Sequence, residues 1–217
     1  MEISTLLIQV SSSTKLSILA CYRSTSHFYR CSVDLVSEQV DIKTFGDAAF
    51  GTIRCIQPAF SDDPAESSFV IAGTHLGIIS IYDWDATSLS SDPFLASRHV
   101  DVFSDAHVTS LAVNPFVVVA GSSRGTIMVL DLLTFETLRS FRAPTNNDVL
   151  QIELAGDVLV ANVGSKVLAW SAAHFGSGGK NPVKIKGKGK QGGHGKWFSM
   201  YMPLGRQQTT HGPCRAR

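Results

Sequence analysis

The residues able to do chemistry are seven histidines, four cysteines and two close carboxylate pairs, and their spacing limits what they can do. His27, His75, His99, His107, His174, His194 and His211 include no pair at i, i+4 on a helix-like segment. Cys21, Cys31, Cys55 and Cys214 contain no C-x-x-C and no histidine pair at zinc-finger distance, so neither set has the spacing of a metal site. Asp62-Asp63 lies in a polar loop and reads as a solvated pair. Asp83 and Asp85 alternate at a strand end, where turn hydrogen bonds explain them better than acid–base work. H-E-x-x-H does not occur, and the G-x-S-x-G spacing of Gly121 to Gly125 lies between two strand-like runs and not on the strand-to-helix turn that a nucleophile elbow needs. The Gly-Lys stretch near Gly195-Lys196 is not a phosphate-binding loop, because Lys190 stands where its first glycine is needed and Trp197 follows Lys196. The reading is therefore of a non-catalytic chain with no cofactor or metal. His75 and His107 are expected to be structural hydrogen-bonders beside turns.

One charged cluster stands apart. Six lysines and no acid lie between Lys180 and Lys196, although the whole chain carries a net charge of only +1. Two readings are open: a solvated linker, or a polyanion contact through Lys184, Lys186, Lys188, Lys190 and Lys196 with salt-dependent affinity for nucleic acid or anionic lipid. The same cluster could act as a nuclear localisation signal. Only Trp197 and Phe198 could stack on bases nearby, which argues against sequence-specific reading.

Composition frames these residues. A hydrophobic fraction of 44% against 17% charged is that of an ordinary globular chain with a sizeable core. Glu2 stands where a signal peptide needs positive charge, the apolar run 6–10 is short, and no stretch approaches the ~18–20 residues of a membrane span. The expectation is an intracellular protein, cytoplasmic or nuclear, with buried thiols at Cys21, Cys31 and Cys55.

Period-two alternation runs from the start to about residue 186, which predicts an all-β fold. Three windows superpose: AGTHLGIISIYDWD from Ala72, AGSSRGTIMVLDLL from Ala120 and ANVGSKVLAWSA from Ala161. In each, a strand ends in a small residue, a turn follows, and a second strand begins. Ala72 to Tyr82 and Ala120 to Leu130 both span ten residues, and Ala161 to Trp170 spans nine. Strands at 52–57, 108–113 and 149–154 precede the windows; 137–143 follows the second, and 182–186 is assigned the same part after the third. The runs 5–10, 15–22, 27–34 and 39–45 form a further unit without the small-residue turn. Four-stranded units repeating at 40–48 residues are the mark of propeller blades. The chain thus divides into blades over 1–176, at about 5–45, 51–102, 107–143 and 149–186, with the end of the last overlapping a flexible basic tail, 177–217.

These windows resemble WD-repeat proteins. The segment 108–141, VTSLAVNPFVVVAGSSRGTIMVLDLLTFETLRSF, follows that pattern over a full repeat, with Leu130-Asp131 in the Trp-Asp place; Tyr82-Asp83 and Trp170-Ser171 occupy it in the other copies. Leu76 and Arg124 replace the family's turn aspartate, so its polar network is eroded and burial of Val, Ile and Leu must hold the blades. The tail 183–197, ending in Gly-Lys-Trp, resembles the F-box/WD-repeat substrate receptors of SCF-type ubiquitin ligases, though no F-box is present. The resemblance implies a WD-type β-propeller of about four blades, partial or open, serving as a protein-interaction scaffold. It implies partner proteins that include ubiquitin-ligase components or substrates. The contacts would come from turns at one rim: Thr74 and His75 in 74–77, Ser122 and Arg124 in 122–125, and Lys166 in 163–166.

Overall fold

A computed structural model describes residues 2–10, 13–61, 67–87, 93–156 and 158–171, and the backbone of 198–203. The fold is all-β: four four-stranded antiparallel sheets, each with its strands in sequence order. The first sheet holds β1 (Ile3–Val10), β2 (Lys15–Tyr22), β3 (His27–Asp34) and β4 (Gln39–Gly46). The second holds β5 (Ile53–Ala59), β6 (Phe69–Thr74), β7 (Ile78–Asp83) and β8 (Arg98–Asp101). The third holds β9 (Val108–Val113), β10 (Val117–Ser122), β11 (Thr126–Asp131) and β12 (Thr137–Arg142), and the fourth β13 (Val149–Ala155), β14 (Val158–Val163), β15 (Lys166–Ser171) and β16 (Phe198–Pro203). A 3-10 turn, Ala48–Phe50, is capped by the Asp47 side chain.

Alternation builds each sheet with two usable faces, because neighbouring side chains along a strand point to opposite sides. In β2, Ser17, Leu19 and Cys21 are buried while Leu16, Ile18 and Ala20 point the other way. The sheets stack face to face like successive propeller blades, and three apolar cores fill the three joints. The first core packs Leu19, Phe28 and Phe45 against Val70, Tyr82 and Trp84. The second packs Ile71, Ile79 and Ile81 against Val118, Ala120 and Leu130. The third packs Val119, Ile127 and Val129 against Leu159, Ala161 and Trp170. Every joint therefore sets the back face of one sheet on the front face of the next. Among the described residues no core joins the fourth sheet to the first, so the series stays open.

Register gives the first unit the small-residue strand end that its sequence does not display. Ala20, Ala72, Ala120 and Ala161 lie opposite Leu6, Ile56, Leu111 and Ile152, one residue from an inner-strand irregularity in all four sheets. The first sheet thus does carry the small-residue end, as Ala20-Cys21 instead of Ala-Gly. In the second and third sheets the following glycine admits the next inner strand. A Cβ at Gly73 would fall 2.5 Å from Val108, and one at Gly121 would fall 2.6 Å from Val149. Polar pins reinforce these joints: the Cys55 thiol reaches the Val108 carbonyl at 3.8 Å, and Thr109 Oγ1 donates to the Val149 carbonyl at 2.8 Å. Burial pushes the Cys55 thiol up to about 12, so it stays protonated and unreactive.

One strand departs from expectation. The fourth strand beside β15 is Phe198–Pro203, pairing Lys166 with Pro203 through Ser171 with Phe198. The sequence assigns that part to 182–186 and places the segment after Trp197 in the flexible tail. Phe-Ser-Met-Tyr-Met supplies the aromatic and unbroken run a strand prefers, whereas 182–190 is interrupted by glycines and lysines. Residues 182–186, and the tail apart from 198–203, lie outside the described residues. Among the described residues no helix is long and apolar enough to cross a membrane.

Candidate functional site

At one rim, the turn between the second and third strands of a sheet lies beside the connection that enters the next sheet. Thr74 and Ser122 close these turns from inside. Thr74 Oγ1 accepts from the Leu76 N–H at 3.3 Å, and Ser122 Oγ accepts from Arg124 and Thr126 N–H groups at 3.2 and 2.9 Å. Both residues are buried, at 3% and 0% exposure, so their hydroxyls build the turns and do not face a partner. The sequence could not show this, since a turn hydroxyl has the same residue type whether it points in or out.

The histidines carry the link across the rim. The Thr52 N–H donates to His75 Nδ1 at 2.8 Å, which places the neutral ring proton on Nε2. His107 Nδ1 in turn donates to the His75 carbonyl, and the His107 N–H donates to Ser123 Oγ at 3.1 Å. Arg124 pairs with Asp105 a short distance along the same edge. Leu76, at the tip of its turn, is 48% exposed. His75, Leu76, Asp105, His107 and Arg124 thus form one strip across the second and third sheets. Of the expected contacts, the structure brings together His75 and Arg124. Lys166 opens β15 on the fourth sheet, half-buried. Leu76 and Ser123 lie within the turns read from sequence without being singled out there, and Asp105 lies in none of those turns. Lys184, Lys186, Lys188, Lys190 and Lys196 lie outside the described residues.

The carboxylates behave as turn acceptors. Asp131, in the Trp-Asp place, accepts from the N–H groups of Thr134 and Leu133 at 2.8 and 3.0 Å, and these donors hold it below the usual carboxylate range. Asp83 accepts from the Asp85 N–H, and Asp85 from the Ser68 N–H, both at 3.0 Å. Tyr82, buried in the first core, has its phenol pushed up to about 12 by desolvation. Among the described residues no group of three or more His, Cys, Asp or Glu side chains could hold a metal ion.

The fold disturbs the titration of His99. It stacks on Phe50 and shares a 2.9 Å hydrogen bond between Nδ1 and Ser80 Oγ. Burial lowers its pKa, with Asp47 opposing in part. A lowered value means that the unfolded chain takes up this proton first, so this stabilisation is full above the unfolded value near 6.5 and is lost as pH falls through the folded one. Thermal midpoints measured from neutral pH to pH 5 should fall, and His99→Gln should shrink that fall. An undiminished fall in the variant would assign the effect elsewhere.

No family model matches the chain, and no curated protein matches it. Among solved structures it is similar to the computationally designed Ika8 protein, with a TM-score of 0.53 and 19% identity over 78% of this chain. The match spans 45% of that structure's length. In all, 921 chains of known structure match, so the architecture is common and by itself assigns no role.

Proposed function

We propose that this chain is a non-catalytic protein-interaction scaffold of the WD-repeat type that binds through the rim strip. The observation that carries the reading is the exposed Leu76 tip, on a turn tied through the His75 carbonyl to His107, with Asp105 of the Asp105–Arg124 pair on the connection that carries His107. An apolar anchor beside polar groups on a rigid support is the make-up of a protein contact. The Trp-Asp-like positions and the tail ending in Gly-Lys-Trp support a narrower version, the substrate-recognition part of an SCF-type ubiquitin ligase. Its partners would then be ligase components or substrates, in the cytoplasm or nucleus.

The test compares proteins retained by the immobilised chain and by the Leu76→Asp/Arg124→Glu variant. Both positions are exposed, so the variant should fold as the parent does. Partners that use the rim should bind it at least about tenfold more weakly, the effect of one hot spot. Unchanged retention would sink the proposal. Retention indifferent to the rim, yet abolished by salt or by replacing Lys184, Lys186, Lys188, Lys190 and Lys196 with Gln, would favour the polyanion reading instead.

A further inference from the structure

The front face of the first sheet is a joint surface without a joint. Leu6 occupies the register position of Ile56, Leu111 and Ile152. Those three are 8%, 7% and 4% exposed beneath the back face of the preceding sheet, whereas Leu6 is 55% exposed. Ile8, Val10, Val40 and Ile42 on the same face each leave more than half their surface in water. No charged side chain interrupts them. Four strands ~4.8 Å apart and about seven residues long give a flat area of about 450 Å². Side-chain relief brings this toward the ~800 Å² that one partner gives to a standard interface. Such a face is not left to water in a stable soluble protein.

Its counterpart is the back face of the fourth sheet. There Val160, Val167 and Ala169 hold the register positions that Ile71, Ile79 and Ile81 fill in the second sheet and Val119, Ile127 and Val129 in the third. Asn162 stands where those sheets have glycine, but Cys21 at the same position in the first sheet shows that the joint accepts a side chain there. The two unpaired faces therefore have opposite polarity, one front and one back, as every internal joint requires.

We infer that a second copy of this chain covers the front face, head to tail, with the back of the fourth sheet of each copy on the first sheet of the other. Two such joints related by a two-fold axis close eight sheets into a ring, within the range of known propellers. The extent of the structural match agrees: most of this chain corresponds to somewhat under half of the designed protein it resembles. The inference is independent of the rim reading, since no rim residue takes part in either face.

The experiment is light-scattering mass measurement of the full chain, with Ile8→Asp on the front face and Val160→Asp on the back. The parent should run at twice its 23.4 kDa. Each variant should run as a folded monomer, judged by circular dichroism. Mixing the two should restore a one-to-one pair, because each supplies the intact face the other lacks. Alkylation of Cys31, which lies on the front face between Ile18 and Ile42, should speed up in both monomeric variants. Should Val160→Asp fail to fold, Val158→Asp, more exposed on the same face, replaces it. A monomeric parent, an open-ended polymer, or a dimer broken by Ile8→Asp but indifferent to the back-face variants would each overturn the inference. The last would mean front-to-front pairing.

Discussion

Replacing Trp84 with Ala should destabilise the chain by about 3–5 kcal/mol, the cost of removing a large aromatic from a packed core. Trp84 is 2% exposed and lies in the core between the first and second sheets, among Phe28, Phe45, Tyr82 and Phe94. Its ring stacks with Phe45 at 6.1 Å and packs on Phe60 at 5.1 Å. The indole N–H donates to Gln9 Oε1 at 2.8 Å, reaching back to the inner strand of the first sheet. The Arg30 guanidinium lies 5.4 Å from the same ring. Arg30 is itself buried, its Nε has no hydrogen-bond partner among the described residues, and burial lowers its pKa against the pull of Asp85, Asp41 and Asp83. Taking the ring away removes the face on which that charge rests as well as the apolar contact. Trp84→Phe keeps an aromatic ring in the core but loses the indole hydrogen bond and the volume of the second ring, so it should cost less than Trp84→Ala, about 2–3 kcal/mol. The loss should be local first. In hydrogen exchange of the alanine variant, β2 and β3 should lose protection ahead of β9 to β11, whose joints are untouched. A loss below about 1 kcal/mol, or one spread evenly over all sheets, would show that other contacts hold this joint.

The difference between that joint and the others explains what the sequence could reveal. Strands β2, β3 and β9 are read to the residue, because their apolar and polar residues alternate between clear turns such as Arg23-Ser24-Thr25-Ser26. The three glycine- or asparagine-bearing windows superpose for the same reason. The first sheet escapes that comparison because its equivalent of Ala-Gly is Ala20-Cys21. What repeats there is a backbone irregularity and a register, and neither is written in residue types. The strand β16 is lost for a different reason. Its partner β15 is separated from it by a long basic stretch, and nothing local says which later apolar run will satisfy that sheet edge. The rim shows the same limit. Arg124 and His75 stand out by residue type, but the pairing of Arg124 with Asp105 joins two loops of different sheets and needs the fold to be known. Thr74 and Ser122 mislead because the chemistry that makes a good contact also makes a good turn.

The rim depends on one backbone conformation more than on any of its side chains, and Gly77→Ala should show it with a cost of about 2–4 kcal/mol. Gly77 has φ of +79°, a region where a Cβ costs roughly 1–2 kcal/mol by itself. The added methyl would also sit 1.9 Å from the Phe103 carbonyl oxygen and 2.6 Å from that of Ala106. Both are backbone atoms of the connection carrying Asp105 and His107, so they cannot swing aside as a side chain could. The same connection is tied to the glycine itself, since Val102 and Phe103 N–H groups both donate to the Gly77 carbonyl at 3.0 Å. Relieving the clash therefore means moving the loop and stretching those bonds together. Gly156 provides the control, having φ of +55° with nothing within 4 Å of a built Cβ. Gly156→Ala should cost only the conformational part, about 1 kcal/mol, and leave the rim as it is. Urea unfolding of the two variants separates the contributions, and equal losses would mean that the carbonyl contacts do not constrain this turn. If the rim is the binding surface, Gly77→Ala should also weaken partner retention while its fold persists below the unfolding transition, because displacing 103–107 pulls Asp105 from Arg124 and His107 from the His75 carbonyl without altering any of the four side chains.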